Sequence, residues 1–420
     1  MAGQAPLVLH LSQIVGGELR DAGRERLGRV DDLIVRLGDD EYPPVTGAVA
    51  SVAGRQVFVP AEQMTEIAPG RITLGGDVLD LQHFRRRPQE VLLKKDVLDR
   101  QLINVDGARL VRANEIELTR LEGWYRVVGV DLSLRGLARR VLPRPLARLF
   151  RAGDFLDWAS VEPFTGHVPT VRLRVPHPKL ARLHPAQLAD LVEAASHREG
   201  EEIIAAVSTD PELEADLFEE LEDKHQLEFV EERSDAEIAE LLGRMEGDDA
   251  ADLVLQLPEE RREDVVALLP LAQGRRVRTL LGYDPATAGG LMSPEFVCLY
   301  AEATVEEALE RVRHSRVHAD GASWVFALSA RRRLRGAVPL ADLLRAAPGT
   351  RLAEIVRSVQ RVSPDAELEE VARLMTDFDL TVVPVVDASE TLLGIVTVDD
   401  VLELVLPESW RRRFNILGGD

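Results

Sequence analysis

The hydrophobic pattern divides the chain into three regions. Residues 7–166 carry short alternating runs of hydrophobic and polar residues between Gly and Pro, as at residues 55–59. Because successive side chains of a strand point to opposite faces, this pattern predicts small β domains. Residues 178–282 show the spacing of short amphipathic helices, and residues 283–406 alternate helical with strand-like pieces. The three textures predict at least three domains of mixed α and β structure.

The last region contains an internal repeat. Residues 324–344 align without a gap on residues 382–402, and residues 304–308 match residues 367–371 with a small shift. Each copy is predicted to run helix, strand, turn, strand, helix. Thr304 and the glutamate three residues later form a capping box, which predicts the start of the first helix.

A second repeat lies in the β region, where residues 27–33 resemble 110–116 and residues 59–64 resemble 156–161. The offset between the copies grows, which places an insertion at residues 132–153 of the second copy. That stretch has six arginines and no acid. With its interleaved leucines it could contact an anionic membrane surface, although an ordered loop or a partner contact is at least as consistent with its sequence.

The middle region repeats more weakly. Residues 186–192, 236–242 and 249–254 share one amphipathic pattern, and prolines stand at or near the predicted helix starts. Ser234 and Glu237 form another capping box. Stacked short helices of this kind predict a solenoid-like superhelix.

Composition and charge narrow the function. The 420 residues carry a formal charge of −21, which argues against nucleic-acid binding and suits solubility or attraction of cations. A single cysteine, Cys298, excludes internal disulfides. We expect no signal peptide and no spanning helix, since no run approaches about 18 apolar residues. No catalytic arrangement stands out, so we do not expect an enzyme.

The C-terminal repeat resembles a tandem CBS pair, the module named after cystathionine β-synthase. Its clearest element is the Gly-Ile-Val-Thr-Val-Asp-Asp run at residues 394–400. In nucleotide-binding members of that family the hydroxyl and the later aspartate hold ribose and phosphate, which implies Thr397 and Asp400 as an adenine-nucleotide (ATP) site. The equivalent hydroxyl position of the first repeat is Pro339.

A broader resemblance covers residues 178–406. The Ala-Gly-Gly-Leu-Met run at residues 288–292, followed by a CBS pair, is similar to the cytosolic part of the MgtE magnesium transporter family, as is the acidic segment at residues 245–253. The resemblance implies an N-domain-like superhelix at 178–282, CBS repeats at 283–346 and 354–406, and a C-terminal tail at 407–420. It also implies a cytoplasmic homodimer joined through the CBS repeats.

The β region resembles two PRC-barrel domains, which are mostly interaction modules. The first would cover residues 7–82 and the second residues 88–166. The predicted fold class is therefore a multi-domain α+β protein with N-terminal small β-barrels, a central α-helical superhelix and a C-terminal tandem α/β CBS pair. The barrels could recruit a separate membrane transporter or another protein.

The acidic residues suggest a magnesium site. Magnesium takes oxygen ligands and keeps several waters, so carboxylates on two facing domains can bind it without a tight cage. Asp248 and Asp252 are four residues apart, and Asp400 and Glu403 three apart, so each pair shares a helix face. The resemblance to MgtE implies six regulatory ligands: Asp248, Asp252, Glu369, Asp379, Asp400 and Glu403. The family's further acids have no counterpart at residues 410–413, which read Trp-Arg-Arg-Arg.

Other interpretations stay open. Most acids of the helical region can be solvated surface residues, and Asp248 and Asp249 can be helix N-terminal acids that favour the dipole. We expect a magnesium-responsive regulatory protein in which ion binding closes the helical domain onto the CBS pair. The alternatives are an adenine-nucleotide sensor and a PRC/CBS interaction scaffold without a ligand.

Overall fold

The computed structural model describes residues 8–38, 40–76, 84–87, 89–133, 155–164, 179–315, 317, 319 and 321–406. The chain forms two compact units, Met1–Asp210 and Pro211–Asp420. The first is rich in strands and ends in two helices, and the second begins with helices and ends in two α/β repeats. The predicted mixed α+β architecture is confirmed. Most of the arginine-rich insertion and the tail at 407–420 lie outside the described residues.

The first strands of unit one belong mainly to a seven-stranded sheet. Its order is β5-β4-β3-β2-β7-β6, and β8 pairs with β3 from the side. In the long strand β3, consecutive residues Leu33, Ile34 and Val35 are all buried. Hydrophobic and polar residues therefore alternate less in β3 than in a strand with one face in solvent. The strands of this first copy are β1 (Leu9–His10), β2 (Glu18–Arg20), β3 (Arg26–Arg36), β4 (Val45–Val52), β5 (Arg55–Pro60), β6 (Met64–Ala68) and β7 (Arg71–Leu74), with the short helix α1 (Leu11–Ile14) after β1.

The second copy supplies most strands of two smaller sheets, ordered β1-β11-β12-β13 and β10-β9-β14. Both copies place a 3₁₀ turn between two strands, at Ala61–Gln63 and at Trp158–Ser160. These turns fall on the segments whose sequences repeat. The strands are β8 (Glu90–Leu92), β9 (Gln101–Asn104), β10 (Arg109–Arg112), β11 (Glu115–Leu121), β12 (Trp124–Asp131), β13 (Phe155–Asp157) and β14 (Val161–Pro163).

The two copies exchange their first strands. Strand β1 of the first copy pairs with β11, where Leu9 lies opposite Leu118, and β8 of the second copy pairs with β3, where Val91 lies opposite Val35. One hydrophobic core contains buried residues of both copies. Strand pairing therefore crosses the boundary that the sequence places between residues 82 and 88.

Each exchange is fixed by a buried carboxylate. Asp32 accepts hydrogen bonds from the backbone N–H of Lys94 at 2.8 Å and of Lys95 at 3.0 Å, in the π-helical turn Leu93–Val97 after β8. Glu115 accepts one from Ser12 N–H at 3.1 Å, in the helix after β1. Asp32 and Glu115 occupy equivalent positions of the repeat, so each copy supplies partners for N–H groups that the other's turn leaves unpaired. Burial raises the pKa of Asp32 to about 6, although the hydrogen bonds from three backbone N–H groups lower it.

Short helices follow, as their amphipathic spacing predicts. Unit one contains α2 (Pro185–Ala194) and α3 (His197–Val207). The prolines lie at helix starts: Pro185 and Pro211 are first residues, and Pro258 and Pro270 precede first residues. The helices of unit two are α4 (Pro211–Glu219), α5 (Asp223–Val230), α6 (Asp235–Leu242), α7 (Gly247–Gln256), α8 (Glu259–Leu268) and α9 (Leu271–Leu280).

The capping box at Ser234 and Glu237 is present, with both side chains bonded as predicted. Their hydrogen bonds satisfy N–H groups that the first turn of α6 would otherwise leave unpaired. The box at Thr304 and Glu307 is present in the same way at the start of α10. Local sequence therefore fixes the starts of both helices.

The two α/β repeats end unit two, and their hairpins are equivalent. Phe326 pairs with Ala337 in the first hairpin and Pro384 pairs with Ile395 in the second. Both hairpins contribute to one buried cluster. The elements are β15 (Val297–Tyr300), α10 (Val305–Arg313), β16 (Trp324–Leu328), β17 (Leu334–Pro339), α11 (Leu340–Arg345), α12 (Leu352–Ile355), α13 (Leu368–Phe378), β18 (Val382–Val386), β19 (Leu392–Thr397) and α14 (Val398–Val405).

The segment between α9 and the first repeat is bonded to the second repeat. Ser293 N–H donates to the carbonyl of Ile395 at 2.8 Å, and Ile395 N–H donates back at 2.9 Å. Gly290 permits the tight turn that precedes this pair, since a Cβ there would lie 2.4 Å from the carbonyl of Asp284. The connection from the helices therefore runs along β19, next to the start of α14.

No helix within the described ranges is long and apolar enough to cross a membrane.

Candidate metal centre

The first half of the candidate centre is the N-terminus of α7. Glu246 is the N-cap residue, and Asp248 and Asp249 lie in the first turn. The carboxylate of Glu219, at the end of α4, accepts a hydrogen bond from Glu246 N–H at 2.6 Å and so fixes this end of the helix. Acidic side chains are favoured here because the unpaired N–H groups give the helix start a partial positive charge.

The second half is the N-terminus of α14, in the second CBS-like repeat. Asp400 accepts hydrogen bonds from the backbone N–H of Thr397 at 3.0 Å and from its hydroxyl at 2.6 Å. Each of these bonds ties the carboxylate to the turn that begins the helix. Asp400 is half-buried and Thr397 is buried. The position of Asp400 is thus set by its own helix.

The structure brings these two helix starts together. Burial raises the pKa of Asp248 well above its usual value, and the charge of Asp400 raises it further, followed by those of Glu246 and Asp252. The pKa of Asp249 is also raised well above its usual value, first by burial and then by Asp248, Glu219 and Glu246. The charged neighbours that shift both groups are all carboxylates, so like charges converge at this point.

One carboxylate oxygen of this acidic cluster has no hydrogen-bond partner among the described residues. Oδ1 of Asp248 is buried and has no hydrogen-bond partner among the described residues. Buried polar atoms are paired in most proteins, and an unpaired carboxylate oxygen requires a proton, a water or a cation. A divalent cation held by oxygen ligands fits this donor set, because it would neutralise the converging charges and satisfy that oxygen.

The six predicted ligands are distributed unevenly. Asp252 lies one turn after Asp248 on α7 and its charge acts on Asp248. Glu369 is exposed near the start of α13, where it forms an ion pair with Arg373 at 2.6 Å. Asp379 ends α13 in the left-handed conformation, with φ of 53°. Glu403 lies on α14, and its side chain is outside what the structure describes.

Two acidic residues of this cluster were not predicted from the sequence. Glu246 is next to the predicted ligands, and its position before the first helical residue was the available signal. Glu219 gives no local signal, because it lies on a different helix, 27 residues earlier in the chain, and is linked to the start of α7 by its hydrogen bond with Glu246 N–H. Asp249 was predicted as a helix-terminal acid, and its carboxylate lies in the same cluster.

Family models match most of the region that contains the centre. A model of the MgtE intracellular N domain matches residues 183–286, and a model of the CBS domain matches residues 288–349 and 352–407. The helical region and the two α/β repeats thus match, in order, an MgtE intracellular N domain and a CBS pair. The PRC-barrel resemblance of the β region stays a prediction.

Relatives specify the resemblance further. The magnesium transporter MgtE of Thermus thermophilus is 41% identical over 166 residues, covering 39% of this chain and 37% of the transporter. MgtE of Bacillus subtilis is 26% identical over 196 residues, covering 46% and 43%. The chain thus spans about two fifths of the length of these curated relatives. The resemblance to the N domain and CBS pair of the MgtE family is confirmed.

Solved structures agree. The soluble part of a magnesium transporter is 27% identical, with a TM-score of 0.50 over 54% of this chain and 90% of that chain. The cytosolic domain of the Mg²⁺ channel MgtE in complex with ATP is 33% identical, with a TM-score of 0.50 over 54% and 92%.

Proposed function

We propose that this chain is a magnesium-responsive regulatory protein, in which Mg²⁺ bound between α7 and α14 closes the helical domain onto the CBS pair. The observations that carry the proposal are that the charge of Asp400, on α14, acts on Asp248, on α7, and that Oδ1 of Asp248 is buried without a hydrogen-bond partner among the described residues. The names of the relatives, which are magnesium transporters and a Mg²⁺ channel, support the choice of ion.

The response follows from the sign of the electrostatic interaction. Without an ion, the carboxylates of Asp248, Asp249 and Asp400 repel one another, which favours separation of α7 from α14. A divalent cation between them reverses that sign and favours the closed arrangement. The ion shifts the population because it binds the closed arrangement more tightly than the open one.

The test is limited proteolysis of the full chain during a magnesium titration, with calcium and ATP as parallel ligands. Magnesium is expected to protect the joint at residues 281–293 selectively. The double variant Asp248→Ala with Asp400→Ala is expected to lose both this protection and magnesium-induced compaction in solution scattering. Asp264→Ala is the matched control, since Asp264 is an exposed acid of α8. Compaction that survives in the double variant would overturn the proposal.

The setting of this sensor is also proposed. The cytosolic relatives support a cytoplasmic location, and the CBS pair supports a homodimer. The β region would serve as the interaction module that recruits a separate membrane transporter or another protein at the inner face of the membrane. Loss of partner capture on deletion of residues 7–166, with magnesium-dependent protection retained in the remainder, would separate the two roles.

A second candidate function is adenine-nucleotide sensing at Thr397 and Asp400. It is favoured by the relative whose structure contains ATP. In this chain the two residues bond to each other, so a nucleotide would have to compete with the cap of α14. Nucleotide binding without magnesium, lost in Thr397→Ala, would support this function. Protection that ignores both ligands would leave the scaffold interpretation.

A further inference from the structure

The linker at residues 281–296, between α9 and β15, contacts the first residue of α7 on one side and strand β19 on the other. On one side, the first residue of α7 lies against it: a Cβ at Gly247 would be 3.0 Å from Cγ and 3.2 Å from Cδ of Pro294. Real Cβ atoms rarely approach so closely, so the contact has room for a hydrogen and little more. Gly247 is buried and directly precedes Asp248.

On its other side, the linker is bonded to the second CBS repeat. Ser293 exchanges two backbone hydrogen bonds with Ile395, and a Cβ at Gly394 would be 2.8 Å from the carbonyl oxygen of Ser293. Strand β19, which carries these residues, ends at Thr397, the cap partner of Asp400. The linker is thus packed without a gap between the start of α7 and the strand that leads to α14.

We propose that Gly247 is a positioning residue, whose contact with Pro294 sets the closest approach of Asp248 to Asp400 and thereby the magnesium concentration at which the protein closes. This inference rests on the proposed function. Neither residue need touch the ion. The contact acts as a spacer, because any added volume at position 247 must push α7 away from the linker that is fixed to β19.

The variant Gly247→Ala tests the spacer. Alanine is tolerated by the backbone, since Gly247 is not among the residues with positive φ, and it raises helix propensity at this position. If Gly247→Ala acted only through helix propensity, it would therefore stabilise α7. We expect instead that the magnesium midpoint for protection of residues 281–293 rises by about fivefold, because overpacking opposes closure.

The rescue variant removes the obstructing atoms. Pro294→Ala deletes the Cγ and Cδ that the new methyl group would meet. In the double variant the midpoint is expected to return to within about twofold of the midpoint of Pro294→Ala alone. Gly349→Ala is the control, since a Cβ at Gly349 would meet no atom within 4 Å, and its midpoint should equal that of the wild type.

The outcomes separate this inference from the proposed function. If the wild type shows no magnesium-dependent protection, the proposed function fails. If the wild type responds and Gly247→Ala responds at the same concentration, the spacer is refuted and the sensor stands. A raised midpoint that Pro294→Ala does not restore would also refute the spacer, because the effect would then arise elsewhere in α7.

Discussion

The substitution Asp248→Asn isolates the role of the carboxylate of Asp248, whose Oδ1 is buried. It keeps the shape of the side chain, removes one of the converging charges, and adds N–H donors that can bond to a neighbouring carboxylate. A buried unpaired polar atom costs about 1–3 kcal/mol, and more when it is charged. The magnesium-free closed state should therefore become more stable by about 1–3 kcal/mol, in spite of the loss of a ligand.

Magnesium should stabilise the wild type and have little effect on Asp248→Asn. In the wild type, free ion at 100 times its dissociation constant stabilises the bound state by about 2.7 kcal/mol. In Asp248→Asn this increment should largely disappear, because the ion loses a ligand and the repulsion that it relieved is already reduced.

Hydrogen exchange read by mass spectrometry measures both effects locally. Without magnesium, amides of α7 and of residues 288–293 should exchange about 5- to 150-fold more slowly in Asp248→Asn than in the wild type. With magnesium, only the wild type should slow further. The exposed-acid variant Asp264→Asn should behave as the wild type does. Faster exchange in magnesium-free Asp248→Asn, or an undiminished response to magnesium, would refute the electrostatic argument.

Two further predictions concern the β unit. The folded-state pKa of Asp32, about 6, exceeds its reference value of 3.8, so its ionisation opposes folding by about 3 kcal/mol above pH 6, and this penalty disappears as the pH falls below 4. Urea unfolding should therefore show wild type gaining stability relative to Asp32→Asn between pH 7 and pH 4, and a constant difference would contradict this. Glu115→Ala should accelerate hydrogen exchange in the helix that contains Ser12 rather than in the turn at 93–97, since Glu115 accepts from Ser12 N–H. Equal acceleration of both segments would contradict reciprocal capping.

Features that depend on neighbours in sequence could be predicted. The capping boxes at Ser234 and Thr304 require only a glutamate three residues later, and both are present. The hairpin repeats were visible because both copies have similar apolar strand sequences, and most residues of these strands are buried in both hairpins. The prolines indicated helix starts because the N–H groups of the first helical turn have no acceptor within the helix, so a residue without an N–H loses no hydrogen bond there.

The exchange of strands between the two β copies could not be predicted in this way. Leu9 is equally suited to pair with its own copy or with the other, because a short strand carries little register information. The hydrogen bond from Ser12 N–H to Glu115 joins residues 103 positions apart, and the sequence around each residue does not predict the other as its partner. Packing of a common core selected the partner.

For the metal centre, the sequence by itself determined which carboxylates lie on each helix, since Asp248 and Asp400 follow from helix starts and from a family resemblance. Only the tertiary structure decided that these helix starts meet, that Glu219 and Glu246 join them, and that Gly247 rests on Pro294. The physical reason is that carboxylates repel one another, so their sequence gives no ground to expect them to meet. A glycine has no side chain, so its sequence position does not indicate what it contacts. Their proximity is imposed by the apolar packing and backbone bonding of the domains that carry them.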